Sequence, residues 1–118
     1  MRRLGIAVVR GRSMLPTLRD GDRMLVRYGA TPRPGRIAVV QLPGHDGLSV
    51  KRIGWAESGG WFIERDNPAE GVDSWQVGPV LAEAVVAVAL LRVWPRPRML
   101  SRARGGRRGD RETPAAPQ

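Results

Sequence analysis

Glycine and proline recur along this chain at intervals that leave room only for short elements. Turn chemistry stands at Asp20-Gly21-Asp22, Thr31-Pro32-Arg33-Pro34-Gly35, Pro43-Gly44-His45-Asp46-Gly47 and Ser58-Gly59-Gly60, where proline presets φ and glycine accepts positive φ. The intervals between them are rich in Val, Ile and Leu. Leu4–Val9, Arg23–Tyr28, Arg36–Leu42, Leu48–Ile53 and Trp61–Glu64 each read as a strand. Along Leu48–Ile53 the alternation puts Leu48, Val50 and Arg52 on one face and Ser49, Lys51 and Ile53 on the other. Val80–Val93 fits a helix or a buried strand, and the β-branched Val85, Val86 and Val88 favour a strand over its second half. Asp66–Gly78 is polar and reads as a loop. Met14–Leu18 reads as a short helical turn with Pro16 in it. The expectation is a compact, mainly β domain.

A chain of 118 residues holds one domain with a modest core. It has no cysteine, which excludes disulfides and thiolate metal sites. Its single histidine, His45, lies in a turn, so neither a multi-histidine metal site nor a serine–histidine–carboxylate triad is expected. No metal or cofactor is called for. The net charge of +9 is uneven. Residues 96–118 hold seven arginines and two acids, whereas the 95 residues before them hold thirteen basic and nine acidic ones. This divides the chain into a domain over 1–97 and a disordered Arg/Gly/Pro-rich tail over 98–118. Such a tail touches nucleic acid or anionic lipid, or stays solvated; the composition favours the solvated end and no specific nucleic acid. No apolar run approaches the roughly 20 residues of a membrane span, and Leu4–Val9 lacks the length and cleavage site of a signal peptide. A cytoplasmic location is expected, with membrane contact through apolar surface and tail left open.

Against nineteen arginines stands one lysine, Lys51. Arginine stays protonated, whereas a desolvated lysine loses its proton and serves as a base. Abundant Arg, Ala, Gly and Pro also suit a GC-rich coding bias, under which one lysine is accidental. The lysine gains weight from Gly11-Arg12-Ser13-Met14-Leu15-Pro16-Thr17-Leu18. A serine hydroxyl and a neutral lysine amine form a catalytic pair without histidine. The amine takes the hydroxyl proton and returns it to the leaving amine. Val50 and Ile53, flanking Lys51, are the expected source of the burial that depresses its pKa. The Ser13 N–H is the expected oxyanion donor. Taken singly, Ser13 also reads as a helix N-cap, Lys51 as a solvent-facing strand residue and the acidic loop as turn capping.

Four segments in order carry a resemblance. Ser13-Met14-Leu15-Pro16-Thr17-Leu18 with Gly21-Asp22 and Leu25-Val26 resembles the nucleophile box of the signal peptidase I-like Ser/Lys peptidases. Pro34-Gly35-Arg36-Ile37-Ala38-Val39-Val40 resembles the strand box that follows, and Val50-Lys51-Arg52-Ile53 the lysine box. Asp66-Asn67-Pro68, then Asp73-Ser74 and Gly78, is similar to the late Gly-Asp-Asn…Asp-Ser-Arg box. Within that family the short, unanchored nickel-type superoxide dismutase maturation proteases are the most similar. The resemblance implies a signal peptidase/LexA-like β fold with a short helical turn at the nucleophile. It implies Ser13 as nucleophile and Lys51 as general base, with Met14 and Pro16 shaping the site. Asp66, Asn67, Asp73 and Ser74 then belong to a supporting loop. The implied partner is a protein precursor with an N-terminal leader, and oligomeric state stays open.

Several positions depart from the family pattern. Arg65 replaces the glycine before Asp-Asn, and Trp75 replaces the arginine after Asp-Ser, so Asp73 needs another partner, Arg65 or Arg52. Gly11 stands where many members carry a hydroxyl as second oxyanion donor. Gly71 occupies the place of a serine that positions the lysine. Ser49, two residues before Lys51 on the same strand face, is the expected replacement. Other functions stay open: a signal peptidase acting on exported proteins, a self-cleaving repressor, a small basic nucleic-acid-binding module, or an inactive remnant. A repressor calls for a DNA-binding domain before the serine, where only twelve residues stand. A nucleic-acid module calls for aromatic–basic interleaving, and the chain has one Phe and one Tyr.

Overall fold

The computed structural model describes residues 3–100. Strand β1 (Leu4–Val8) pairs antiparallel with β2 (Arg23–Tyr28). Strand β3 (Ile37–Val40) pairs with β4 (Ser49–Glu57), which turns into β5 (Gly60–Glu64). A one-turn helix α1 (Ser74–Val77), a two-residue strand β6 (Val80–Leu81) and a 3-10 turn (Ala82–Ala84) lead into the ten-residue strand β7 (Val85–Trp94). A short β8 (Arg98–Met99) follows. Together they make one antiparallel sheet in the order β1-β2-β7-β3-β4-β5-β6, with β8 pairing β7. The fold is mainly β, as the turn spacing predicts. No helix among the described residues is long and apolar enough to cross a membrane.

Strand β3 is the centre of the molecule. Its four residues Ile37-Ala38-Val39-Val40 are all buried, because both faces of the strand are covered. Ile37 and Val39 point into one cluster with Met14, Leu18, Val26 and Ala87. Ala38 and Val40 point into a second with Leu42, Ile53, Ile63 and Val80. An unbroken apolar run with period-2 partition is what two-sided burial requires. Val50 packs against the first cluster and Ile53 lies in the second, as the alternation along this strand predicts.

The structure corrects several boundaries. Strand β4 runs three residues past Gly54, with a register shift between Ile53 and Trp55. Gly54 is a bulge position and not a strand end: a Cβ there would stand 2.9 Å from the Phe62 carbonyl oxygen. Within the expected Asp66–Gly78 loop, Asp73 caps α1, accepting from the Trp75 N–H while the Gln76 side chain accepts from the Asp73 N–H. The ambiguous Val80–Val93 segment divides where its chemistry does: Ala82-Glu83-Ala84 forms the 3-10 turn and the valines from Val85 onward form strand. Met14–Leu18 makes one turn, closed by the Leu18 N–H on the Met14 carbonyl at 2.9 Å, and does not continue as helix.

The folded unit also passes the expected boundary at Pro97. Arg98 and Met99 pair with β7, and Leu100 is 3% exposed within the first cluster. The remainder of the expected disordered tail, 101–118, lies outside the described residues. Leu100→Ala should therefore cost about 2–5 kcal/mol of stability, as a buried leucine does elsewhere. A urea melt of the full chain checks this, and an unmoved midpoint would return Leu100 to the tail.

Candidate active site

The segment between β1 and β2 is a loop closed at its base. The Val9 N–H donates to the Asp22 carbonyl at 2.8 Å and the Gly21 N–H to the Val9 carbonyl at 2.7 Å. Met14 and Leu18 sink into the first core cluster, anchoring the loop on one side. Between these anchors and the closed base, Ser13 is half-buried and lines a cleft of about 250 Å³. Lys51 reaches the same cleft from β4, where it stands opposite the fully buried Ala38. Its Nζ lies 2.8 Å from Ser13 Oγ. Two residues 38 positions apart thus meet at hydrogen-bond distance.

Lys51 is 4% exposed. Burial pushes its pKa below the ordinary lysine range, because desolvation disfavours the ammonium. The nearby Asp73 carboxylate opposes that shift, and the Arg65 guanidinium adds to it. A neutral amine at this distance accepts the Ser13 O–H, which is the geometry of a base beside a nucleophile. The apolar surroundings on its face are Ala38 and Ile53. Val50, expected to contribute, packs on the opposite face.

The late loop holds the serine segment from outside. The Asn67 N–H donates to the Ser13 carbonyl at 2.8 Å, and Asn67 Nδ2 donates to the Arg12 carbonyl at 3.0 Å. Asp66 accepts both Arg52 Nε at 2.9 Å and Arg52 Nη2 at 2.6 Å, and also the Thr17 hydroxyl at 2.5 Å. Arg52 gives its remaining Nη1 to the Gly35 carbonyl at 2.7 Å. Asp73 accepts the Arg65 N–H at 2.8 Å and faces Arg65 Nε at 3.8 Å. Of the two partners expected for Asp73, Arg65 is therefore the one in place, and Arg52 belongs to Asp66. Ser74 Oγ accepts from the Ile63 N–H at 2.9 Å, pinning α1 to β5. Trp75, in the position of the missing arginine, donates Nε1 to Glu64 and packs edge-on against Phe62 at 4.9 Å.

Gly11 and Ser49 flank the pair without joining it. The Gly11 N–H is turned away and donates to Asp20 Oδ1 at 2.7 Å. It supports the loop and does not face an oxyanion, whereas the Ser13 N–H has no acceptor among the described residues. Ser49 lines the cleft, but its hydroxyl makes no hydrogen bond to Lys51. The two stand about 7 Å apart along the strand, and the amine is carried instead to Ser13. Pro16 follows a cis peptide bond beside the site and lines a second depression with Thr17 and Met99. His45, read as a turn residue, also lines the Ser13 cleft.

Gly71 was legible only as a departure. Its φ is +91°, and a Cβ built on it would stand 2.6 Å from Ser13 Cβ. The late loop therefore presses bare backbone against the serine, and no side chain fits there. Among the described residues no cluster of His, Cys, Asp or Glu could hold a metal ion. Nor is any buried polar side-chain atom there left without a partner.

Comparison with known proteins agrees with this architecture. No curated protein matches the chain. A match to Peptidase S24-like proteins spans residues 2–84. That span takes in the serine loop, β3, the lysine strand and the late loop, and on that coverage the chain belongs to the Peptidase S24-like family, a serine-peptidase type of domain.

Proposed function

We propose that this chain is a serine endopeptidase working through a Ser13–Lys51 dyad, and that it removes the N-terminal leader of a protein precursor, specifically that of a nickel-type superoxide dismutase. The observation that carries the reading is the 2.8 Å approach of Lys51 Nζ to Ser13 Oγ at a buried amine whose pKa is depressed.

In this mechanism neutral Lys51 accepts the Ser13 proton as Oγ attacks the scissile carbonyl carbon. The Ser13 N–H, free of any internal acceptor, faces the oxygen that gains charge. The intermediate collapses with C–N cleavage, and the Lys51 ammonium returns the proton to the leaving amine. Water then attacks the acyl ester as Lys51 takes its proton, the C–Oγ bond breaks to release the carboxylate product, and the Lys51 ammonium returns the proton to Ser13 Oγ. Asn67 and Gly71 hold the Ser13 backbone through this cycle, and Asp66 holds Thr17 of the same loop. The substrate assignment is supported by the resemblance to the maturation proteases and by the cleft. Leu42 and Val72 line a space of about 250 Å³, which suits small side chains beside the cut. In place of the family's arginine after Asp-Ser, Arg65 brings a positive charge within 3.8 Å of Asp73.

Incubating the purified chain with a leader-bearing nickel superoxide dismutase precursor should release the mature N-terminus, read by mass spectrometry, and Ser13→Ala should release none. A precursor left intact by a chain that cleaves other peptides would overturn the substrate and spare the dyad. Lys51→Met keeps most of the buried side chain's bulk but not the base, so the cleavage rate should fall about 10²–10⁴-fold with the fold unchanged by circular dichroism.

The rate should also depend on pH in one direction. Below the depressed Lys51 pKa the amine is protonated, so kcat/KM should climb with pH and level off once the amine is neutral. Asp73→Asn removes the charge that raises this pKa while keeping a capping side chain, so the limb should move to lower pH. A limb that stays put would detach it from Lys51. Gly71→Ala should lower kcat by about 10²-fold, since displacing reacting atoms by about 1 Å costs that much. Steady-state kinetics beside a urea melt separate this from simple unfolding.

A further inference from the structure

A second concavity lies outside the cleft at Ser13. It has a volume of about 550 Å³, against about 250 Å³ for the cleft, and it falls in the range of small-molecule sites. Four arginines line it: Arg3 before β1, Arg27 on β2, and Arg33 and Arg36 from the connection between β2 and β3. No acid lines it. The ion pairs among the described residues engage Arg12, Arg52, Arg65 and Arg92, none of which belongs to this group. Arg36 makes one long bond, Nη1 to the Leu100 carbonyl at 3.4 Å. Beyond Leu100 the sequence adds five arginines and two acids, so the tail brings a surplus of the same charge.

The local backbone is arranged to bring these groups together. The Tyr28 N–H donates to the Arg3 carbonyl at 2.7 Å, which brings Arg3 alongside the end of β2. Gly5 lies under the Tyr28 ring, where a Cβ would stand 2.6 Å from Tyr28 Cε2. Gly29, at φ +71°, has Arg3 Nη1 3.5 Å from where its Cβ would be. Gly5 thus leaves space for the Tyr28 ring that frames the cavity, and Thr31 and Tyr28 stand among the guanidinium groups with hydroxyls.

We propose that this cavity binds a ligand with two or more phosphoryl groups. Four guanidinium groups with no ion pair among the described residues surround one concavity and repel one another. Each presents a planar fork that matches a phosphate edge through two N–H bonds. One phosphate is too few for four forks, and a concavity of about 550 Å³ is sized for a compact oligophosphate rather than for a run of polymer backbone. A free oligophosphate and a nucleoside triphosphate share this chemistry; the second adds a base that can lie on the Tyr28 ring.

The test is calorimetric titration of the full-length chain with inorganic triphosphate at about 150 mM salt, where diffuse attraction is screened. Saturable one-to-one binding is expected. Arg33→Gln, in an exposed turn, should weaken it at least about 10-fold, the scale of one charged hydrogen-bonding group, and Arg27→Gln should do the same. Arg102→Gln/Arg104→Gln should leave it unchanged. Ser13→Ala should bind as the native chain does, so the site stands or falls separately from the peptidase reading. ATP binding more tightly than triphosphate, with Tyr28→Ala abolishing the difference, assigns a nucleotide; equal affinities assign the bare oligophosphate. Absence of saturable binding, or equal weakening by the tail and cavity variants, overturns the proposal.

Discussion

A buried guanidinium–carboxylate pair, Arg52 with Asp66, ties the functional half of the molecule together. Two parallel bonds at 2.9 and 2.6 Å join β4 to the late loop. The same carboxylate takes the Thr17 hydroxyl, so the serine loop is drawn into the junction. Arg52 also reaches back to the Gly35 carbonyl, at the turn that leads into β3. Four segments distant in sequence meet at this pair. Buried ion pairs contribute little net stability once desolvation is counted, but removing one partner costs about 3–5 kcal/mol. The value of such a pair lies in geometry: Arg52 is the neighbour of Lys51, and Asp66 is the neighbour of Asn67, which holds the Ser13 carbonyl.

Burial of the amine follows from the same arrangement. On a strand, adjacent side chains go to opposite faces. Arg52 turns to Asp66, and Lys51 turns to the side of Ala38 and Ile53. The small Ala38 directly opposite leaves room for a long side chain while excluding water. Arginine in that place would remain charged and would need a carboxylate of its own. A lysine meets the burial cost by favouring its neutral form, the state that the proposed reaction requires of a base. Asp73 and Arg65 then tune the amine from opposite directions. Both are themselves fixed, Asp73 by capping α1 and Arg65 by the Gly71 carbonyl.

How much of this was legible in the chain varies with the range of the interaction. Period-2 runs and turn residues placed the strands within a few residues, because both are local. The capping pair Asp73 and Gln76 was equally local and marks the one-turn helix that a polarity reading missed. The continuation of β4 through Gly54 was not legible locally, because it rests on the ladder with β5, where the Phe62 carbonyl stands close. Leu100 looked like part of a polar tail because only Met99 beside it interrupts the arginine-rich stretch. Its burial depends on β8 pairing with β7.

The sequence alone determined the mainly β character and the pairing of one serine with one lysine as the candidate chemistry, since residue type and order carry these. Tertiary structure decided which groups meet. It turned the Gly11 N–H toward Asp20, left Ser49 without the amine, gave Arg65 to Asp73 and pressed Gly71 against Ser13. The physical reason is reach: propensity and periodicity act over a few residues, whereas a hydrogen bond between positions 13 and 51 exists only when a sheet and two loops close around it.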